Sequence, residues 1–226
     1  MTSVSAPGLL SPPELSGWSL APEGAAVHLA EGTAVIADVH LGYEWARGSR
    51  GDCIPPHSLR ETVSKLETLL SRVSITRLII AGDLVESAGP CARTANDVAS
   101  LFSWLKARGV EAVWIRGNHD PARGQPTACE LDGWRISHGD RGLGEGKSMI
   151  GHHHPALKTA GLSAPCFLVG HETIVLPAFS PNSAGLDVGT GRLPRPLHRE
   201  PLRCVAGLGE ELLDFGPIAA LAAKLL

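Results

Sequence analysis

Five short clusters of Asp, Asn and His punctuate the chain. They are Asp38-Val39-His40, Gly82-Asp83, Gly117-Asn118-His119-Asp120, His138-Gly139 and Gly151-His152-His153-His154. Carboxylate, amide and imidazole donors in this mixture suit Mn, Fe, Zn or Co better than calcium, which prefers oxygen alone. Two such ions roughly 3.5–4 Å apart need several ligands and at least one group that bridges them. The chemistry open to such a pair is hydrolysis of a phosphate ester. A phosphodiester repels nucleophiles by its own charge. Bound divalent cations lower the pKa of a water toward neutrality and neutralise charge developing on the phosphoryl oxygens. A leaving alkoxide then needs a proton, and imidazole titrates in the right range to supply one. Glycine beside each cluster allows sharp turns and close backbone approach. Alternation along a strand would put Asp38 and His40 on one face, and His152 with His154, leaving His153 pointing elsewhere.

The clusters can act together only if the elements carrying them end at one place. Ala34-Val35-Ile36-Ala37, Leu78-Ile79-Ile80-Ala81 and Ala112-Val113-Trp114-Ile115 are apolar runs of buried-strand character, each running into a cluster. Between them, Leu59, Val63, Leu66 and Leu70 recur at helical spacing after Pro55-Pro56. Val98, Leu101, Phe102 and Leu105 do the same before Gly109, a helix stop. This β-α-β-α-β rhythm implies parallel strands with right-handed crossovers, and ligands gather at the carboxyl ends of such strands. After Gly117 short strand candidates follow one another at 134–137, 148–150, 166–169, 173–176, 203–206 and 211–215. They predict a mostly antiparallel sheet packed on the first. Residues 1–23, rich in Ser and Pro, are expected to form a loose N-terminal arm, and 24–226 a single domain.

At 226 residues, 43% of them hydrophobic and 19% charged, the chain can bury one sizeable α/β core. Its net charge of −3 argues against a broad basic surface for gripping nucleic acid, although bound cations would add local positive charge. The five cysteines are odd in number and never in a CxxC pair, which suggests a reducing cytoplasm rather than a disulfide framework. No secretory signal or membrane span is expected, because no apolar run approaches the ~20 residues a spanning helix needs.

Taken together and in order, the five motifs resemble the calcineurin-like metallophosphoesterase superfamily. Two further stretches, Ala37-Asp38-Val39-His40-Leu41-Gly42-Tyr43-Glu44 and Leu176-Pro177-Ala178-Phe179-Ser180, are similar to a narrower group. That group comprises stand-alone SbcD-related phosphoesterases, including the ligase-associated PdeM type. The resemblance implies an α/β fold of two packed mixed β-sheets flanked by helices, a four-layer αββα sandwich in one domain. It implies two divalent metal ions, Mn foremost with Fe or Zn possible. Asp38, His40 and His154 would hold one ion and Asn118, His138 and His152 the other. Asp83 and a water or hydroxide would bridge them. The hydroxide would attack phosphorus in line, His119 would stabilise or protonate the leaving oxygen, and Asp120 would orient the His119 ring.

Other chemistry-bearing residues read more plainly. His28, His57, His171 and His198 are expected to be ordinary satisfied or surface histidines. His153 stands evenly between touching substrate and facing solvent. Glu44 and Glu86 read as surface charge, with support of a ligand histidine as the alternative. Arg47, Arg50, Arg116 and Arg123 read as solvated, with contact to substrate phosphate as the alternative. The leading function is a phosphodiesterase or nuclease acting on nucleic acid, DNA included, as a small repair nuclease. The larger SbcD-type nucleases carry a capping region and an ATPase-docking segment, for which little chain remains after Phe215. Hydrolysis of small phosphate esters, such as cyclic nucleotides or nucleotide diesters, is the second reading. The third is a non-catalytic metal-binding scaffold.

Overall fold

The computed structural model describes residues 8–122, 124–159, 161–183 and 185–222. The first half contains strands β1 (Trp18–Ala21), β2 (Ala25–His28) and β3 (Thr33–Ile36), then helices α1 (Tyr43–Gly48) and α2 (Ser58–Arg72). Strand β4 (Arg77–Ala81), helix α3 (Ala92–Ala107) and strand β5 (Glu111–Ile115) complete it. These strands form one sheet in the order β1-β2-β3-β4-β5, antiparallel through β3 and parallel from β3 to β5.

The second half carries β6 (Ala128–Leu131), β7 (Trp134–Ser137), β8 (Lys147–Ile150), β9 (Pro155–Thr159) and β10 (Leu162–Val169). It continues with β11 (Thr173–Val175), β12 (Leu186–Asp187), β13 (Arg203–Leu208), β14 (Glu211–Pro217) and α4 (Ile218–Ala222). Their order is β12-β9-β10-β11-β8-β7-β6, with β13 on β10 and β14 on β13. Most pairings are antiparallel, but β7 with β8, β8 with β11, and β9 with β12 run parallel.

Burial on both faces explains the unbroken apolar runs. Ile36, Leu78 and Ile80 point to Leu66, Leu69, Leu101 and Leu105 of α2 and α3. Val35, Ile79 and Ala81 point the other way, onto Ile136, Met149, Phe167 and Ile174 of the second sheet. The outer face of that sheet is covered more thinly, by Leu197 and Leu202 and by Ile218 and Leu221 of α4. Two mixed sheets between helical layers, in one domain, is the architecture the sequence predicts. No helix among the described residues is long and apolar enough to cross a membrane.

The expected loose arm is corrected from residue 8 onward; residues 1–7 lie outside the described ones. Leu10 bridges Leu20 by two backbone hydrogen bonds, and β1 pairs with β2 from Trp18↔His28 to Ala21↔Ala25. Leu15, Trp18 and Leu20 are buried between the sheets. Each such side chain contributes about 1.5–3 kcal/mol by leaving water. That outweighs the Ser/Pro composition, which carried the expectation of an arm.

Candidate metal centre

The parallel registers decide where the clusters meet. Ile36 is level with Ile80, and Ala81 with Ile115. The residues following β3, β4 and β5 therefore emerge side by side. In the second sheet Ser137 is level with Ile150, so His138 and Gly151 also leave together, joined by Gly151 N–H donating to His138 C=O at 3.0 Å. Asp38 N–H donates to Gly82 C=O (3.1 Å) and His40 N–H to Asp83 C=O (3.0 Å). Phe179 and Ser180 donate their N–H groups to Ala37 and Asp38 C=O (2.8 and 3.0 Å), which ties the second half of the chain to the same rim.

The side chains converge. Asp38, His40 and His154 form one group of metal-capable atoms, and Asp83, His138 and His152 a second. A third group, His40, Asp83 and His119, joins them. His154 Nε2 lies 3.2 Å from Asp38 Oδ1 and 3.5 Å from His40 Nε2. Around His138 Nε2 stand Asn118 Oδ1 (2.9 Å), Asp83 Oδ2 (3.2 Å) and His152 Nδ1 (3.2 Å). The seven residues named as ligands from the sequence are thus neighbours in space.

The geometry of this rim fits divalent cations. Asp38 is fully buried, and its Oδ1 accepts no hydrogen bond. An uncompensated buried carboxylate oxygen is costly unless a cation takes it. His138 Nδ1 lies 3.3 Å from Ala81 C=O; donation there leaves the Nε2 lone pair facing Asn118, Asp83 and His152. Burial pulls the His138 pKa down, but the Asp83 hydrogen bond and the Asp38 and Asp83 charges override it and hold the ring above its usual value. Burial likewise pushes Asp83 up, and the His138 bond and charge reverse that to leave it low. The two shifts are two sides of one contact, each group favouring the charged form of the other.

Among the described residues six non-glycines have positive φ, and five of them are candidate ligands: Asp38 (57°), His40 (51°), Asp83 (47°), His152 (67°) and His154 (46°). This corrects the expectation of strand alternation. Asp38 and His40, like His152 and His154, lie beyond strand ends, and left-handed turns rather than a pleat aim them inward. Each left-handed residue costs roughly 1–2 kcal/mol, and such strain collects where function fixes geometry. Neighbouring glycines make room: a Cβ on Gly82 would strike the His138 ring, and one on Gly117 the Asp83 carboxylate and backbone.

His119 stands beside the centre with its side chain 41% exposed. Its Nδ1 lies 2.7 Å from Glu86 C=O and its backbone N–H donates to Asp83 Oδ1 at 2.8 Å. Nε2 is therefore the atom left to hold a proton, 4.0 Å from Asp83 Oδ2. Asp120 does not touch that ring. Its carboxylate accepts from Gly117 N–H (2.8 Å), Trp114 Nε1–H (3.0 Å) and Val85 N–H (3.1 Å), so it shapes the loop that carries Asn118 and His119.

Glu86 and Glu44 are not plain surface charges. Glu86 Oε2 lies 3.0 Å from His40 Nδ1. Glu44 is buried and caps α2, accepting from His57 N–H, Ser58 N–H and Ser58 Oγ–H. Ser183 Oγ meets His154 Nδ1, a contact no sequence motif signalled. His153 joins none of the three groups; it packs on His152 with ring centroids 5.2 Å apart, and burial holds it down to about 4. His28 meets Asp132 and Trp18, and His57 meets Asn182 and Pro55, both ordinary satisfied histidines. Arg47 pairs with Asp52 at 2.6 Å. Arg123 lies outside the described residues.

A phosphate-ester hydrolase is the class these observations define. The calcineurin-like phosphoesterase family model matches residues 33–163, more than half of the chain, and the chain belongs to that family. The DNA double-strand break repair protein Mre11 of Methanopyrus kandleri is 36% identical over 91 residues, 40% of this chain. That match spans only 19% of the relative's length. The crystal structure of Pseudomonas putida nuclease MPE superposes with a TM-score of 0.63 at 25% identity, covering 84% of this chain and 92% of that one.

Proposed function

We infer that the chain is a phosphodiesterase that cleaves nucleic acid, DNA included, with two Mn ions as its resident metals. The observation that carries this reading is the convergence of six His and Asp donors on one rim, joined by Asn118 Oδ1, with His119 beside them. The likeness to a nuclease over most of both chains supports the substrate class. Asp38, His40 and His154 would hold one ion, Asn118, His138 and His152 the other, with Asp83 between. When bound, the ions supply a water of lowered pKa and positive charge against the phosphoryl oxygens.

The chain's own groups do the rest. His119, fixed by Nδ1–H donating to Glu86 C=O, turns its Nε2 toward the oxygen that leaves phosphorus and is the group placed to pass it a proton. Asp120 holds the loop that carries Asn118 and His119 in place. Five free cysteines suit a reducing cytoplasm, and a role in DNA repair accords with the relatives.

A metal-by-substrate screen tests this. Bis(p-nitrophenyl) phosphate, cyclic nucleotides and single-stranded DNA are compared at equal Mn, Fe and Zn. DNA cleavage with Mn is expected. His119→Ala keeps its metals and loses about 10²–10⁴ in turnover, whereas Asp83→Ala loses both. Rapid turnover of small diesters with no cleavage of DNA in any form would overturn the nucleic-acid assignment.

A further inference from the structure

Two hollows flank the metal rim. The smaller, about 220 Å³, holds His119, His40 and His154 with Tyr43, Ser180 and Asn182. The larger, about 480 Å³, opens on the Asn118 and His138 side and is lined by Arg116, Arg135 and Arg141. Resting on the nucleic-acid reading above, we propose that this larger groove binds the phosphates flanking the scissile one, so that the preferred substrate is a polynucleotide rather than a small diester.

The charges of the groove carry the argument. The whole chain is net negative at −3, yet three arginines line this one hollow. Among the described residues Arg116 has no ion-pair partner. Arg135 Nη1 stands 3.8 Å from Glu130 Oε1, and Arg141 Nε 4.0 Å from Asp140 Oδ2. These are long pairs on well-exposed side chains, and such pairs contribute about 0–1 kcal/mol. Two carboxylates line the groove. Asp120 is buried and turned to three N–H donors of its own loop, while Asp140 in the wall and Glu130 beside it stand against three arginines.

Guanidinium forks match phosphate oxygens and hold position along a backbone without reading its sequence. The scissile phosphate is already served by the metal rim. A diester with a single phosphate would leave the three arginines nothing to hold, whereas a strand brings further anions at regular spacing. Thr127 and Ser137 in the same wall supply hydroxyls for sugar or phosphate oxygens.

The test reads binding and turnover separately. A fluorescein-labelled oligothymidylate is titrated by anisotropy in EDTA, where no cleavage occurs, across a series of salt concentrations. At roughly 0.7 per phosphate contact on a single strand, the slope of log Kobs against log salt flattens by about 2 in Arg116→Gln/Arg135→Gln/Arg141→Gln. Each single variant accounts for about a third of that, which keeps the test alive should the triple variant fail to fold. With Mn, the ratio of kcat/KM on the oligonucleotide to that on bis(p-nitrophenyl) phosphate falls at least tenfold in the triple variant. An unchanged salt slope and ratio would overturn the groove assignment and leave the phosphodiesterase reading intact. Absence of turnover on every diester would sink that reading instead, and the anisotropy series would still decide the groove.

Discussion

Glu86 Oε2 lies 3.0 Å from Nδ1 of His40, on the ring edge opposite the Nε2 that faces His154. The contact is an ion-pair distance without hydrogen-bond alignment, so the carboxylate acts on the ring through its charge and makes the inner nitrogen a better donor. Glu86 also supplies the backbone carbonyl that holds His119. One residue thus contacts a candidate ligand and the proposed proton carrier from the same turn.

Glu86→Gln therefore weakens metal binding without disturbing the His119 contact, which is made by the main chain. Affinity for Mn, read by calorimetric titration, should fall about 10–100-fold, as is usual for loss of such a partner. An unchanged affinity would mean that the Glu86–His40 contact does not tune the ligand.

The left-handed ligands separate strain from coordination. At His152, with φ of 67°, Gly is free of strain and Ala is not. In EDTA, His152→Gly should melt above His152→Ala by about 2–4 °C, the shift that ~1 kcal/mol produces in a domain of this size. Both variants should gain less from added Mn than the unaltered protein. If the alanine variant melts at or above the glycine variant, the backbone at 152 is not strained.

Lys65 offers a pH test remote from the rim. Burial lowers its pKa to about 8, with Glu23 and Glu61 opposing, while Nζ donates to Phe179 C=O at 2.7 Å. Between pH 8 and 10.5 the unfolded chain holds the proton and the folded chain has released it, so this residue's contribution to stability rises with pH across that window. The rise amounts to about 3 kcal/mol at most. Lys65→Met removes it. Urea denaturation from pH 7 to 10.5 should show the unaltered protein gaining on the variant; a constant difference would contradict the lowered pKa.

The sequence revealed the strands with strongly apolar runs well and those of mixed composition poorly. β3 and β4 each carry a run buried on both faces, β5 an apolar run half-buried at the sheet edge, and α2 and α3 repeat their leucines at helical spacing. β2 and β6 have four residues and β9 five, and alanine, cysteine and polar residues dilute their apolar ones, so neither alternation nor a strong apolar run marks them. The converging donors were legible because His and Asp beside Gly at strand ends are unusual residues in an unusual place. The reason they face one another was not, since left-handed turns replace the pleat. Asp120 misled for a related reason: its partners are mostly backbone N–H groups, which no residue type announces. Glu86 and Ser183 were hidden because each meets its histidine across distant chain.

Anomalous diffraction from Mn-loaded crystals reaches the central claim most directly. Two peaks per chain are expected, one touching Asp38, His40 and His154 and the other Asn118, His138 and His152, with Asp83 reaching both. A single peak, or peaks away from these side chains, would contradict the account.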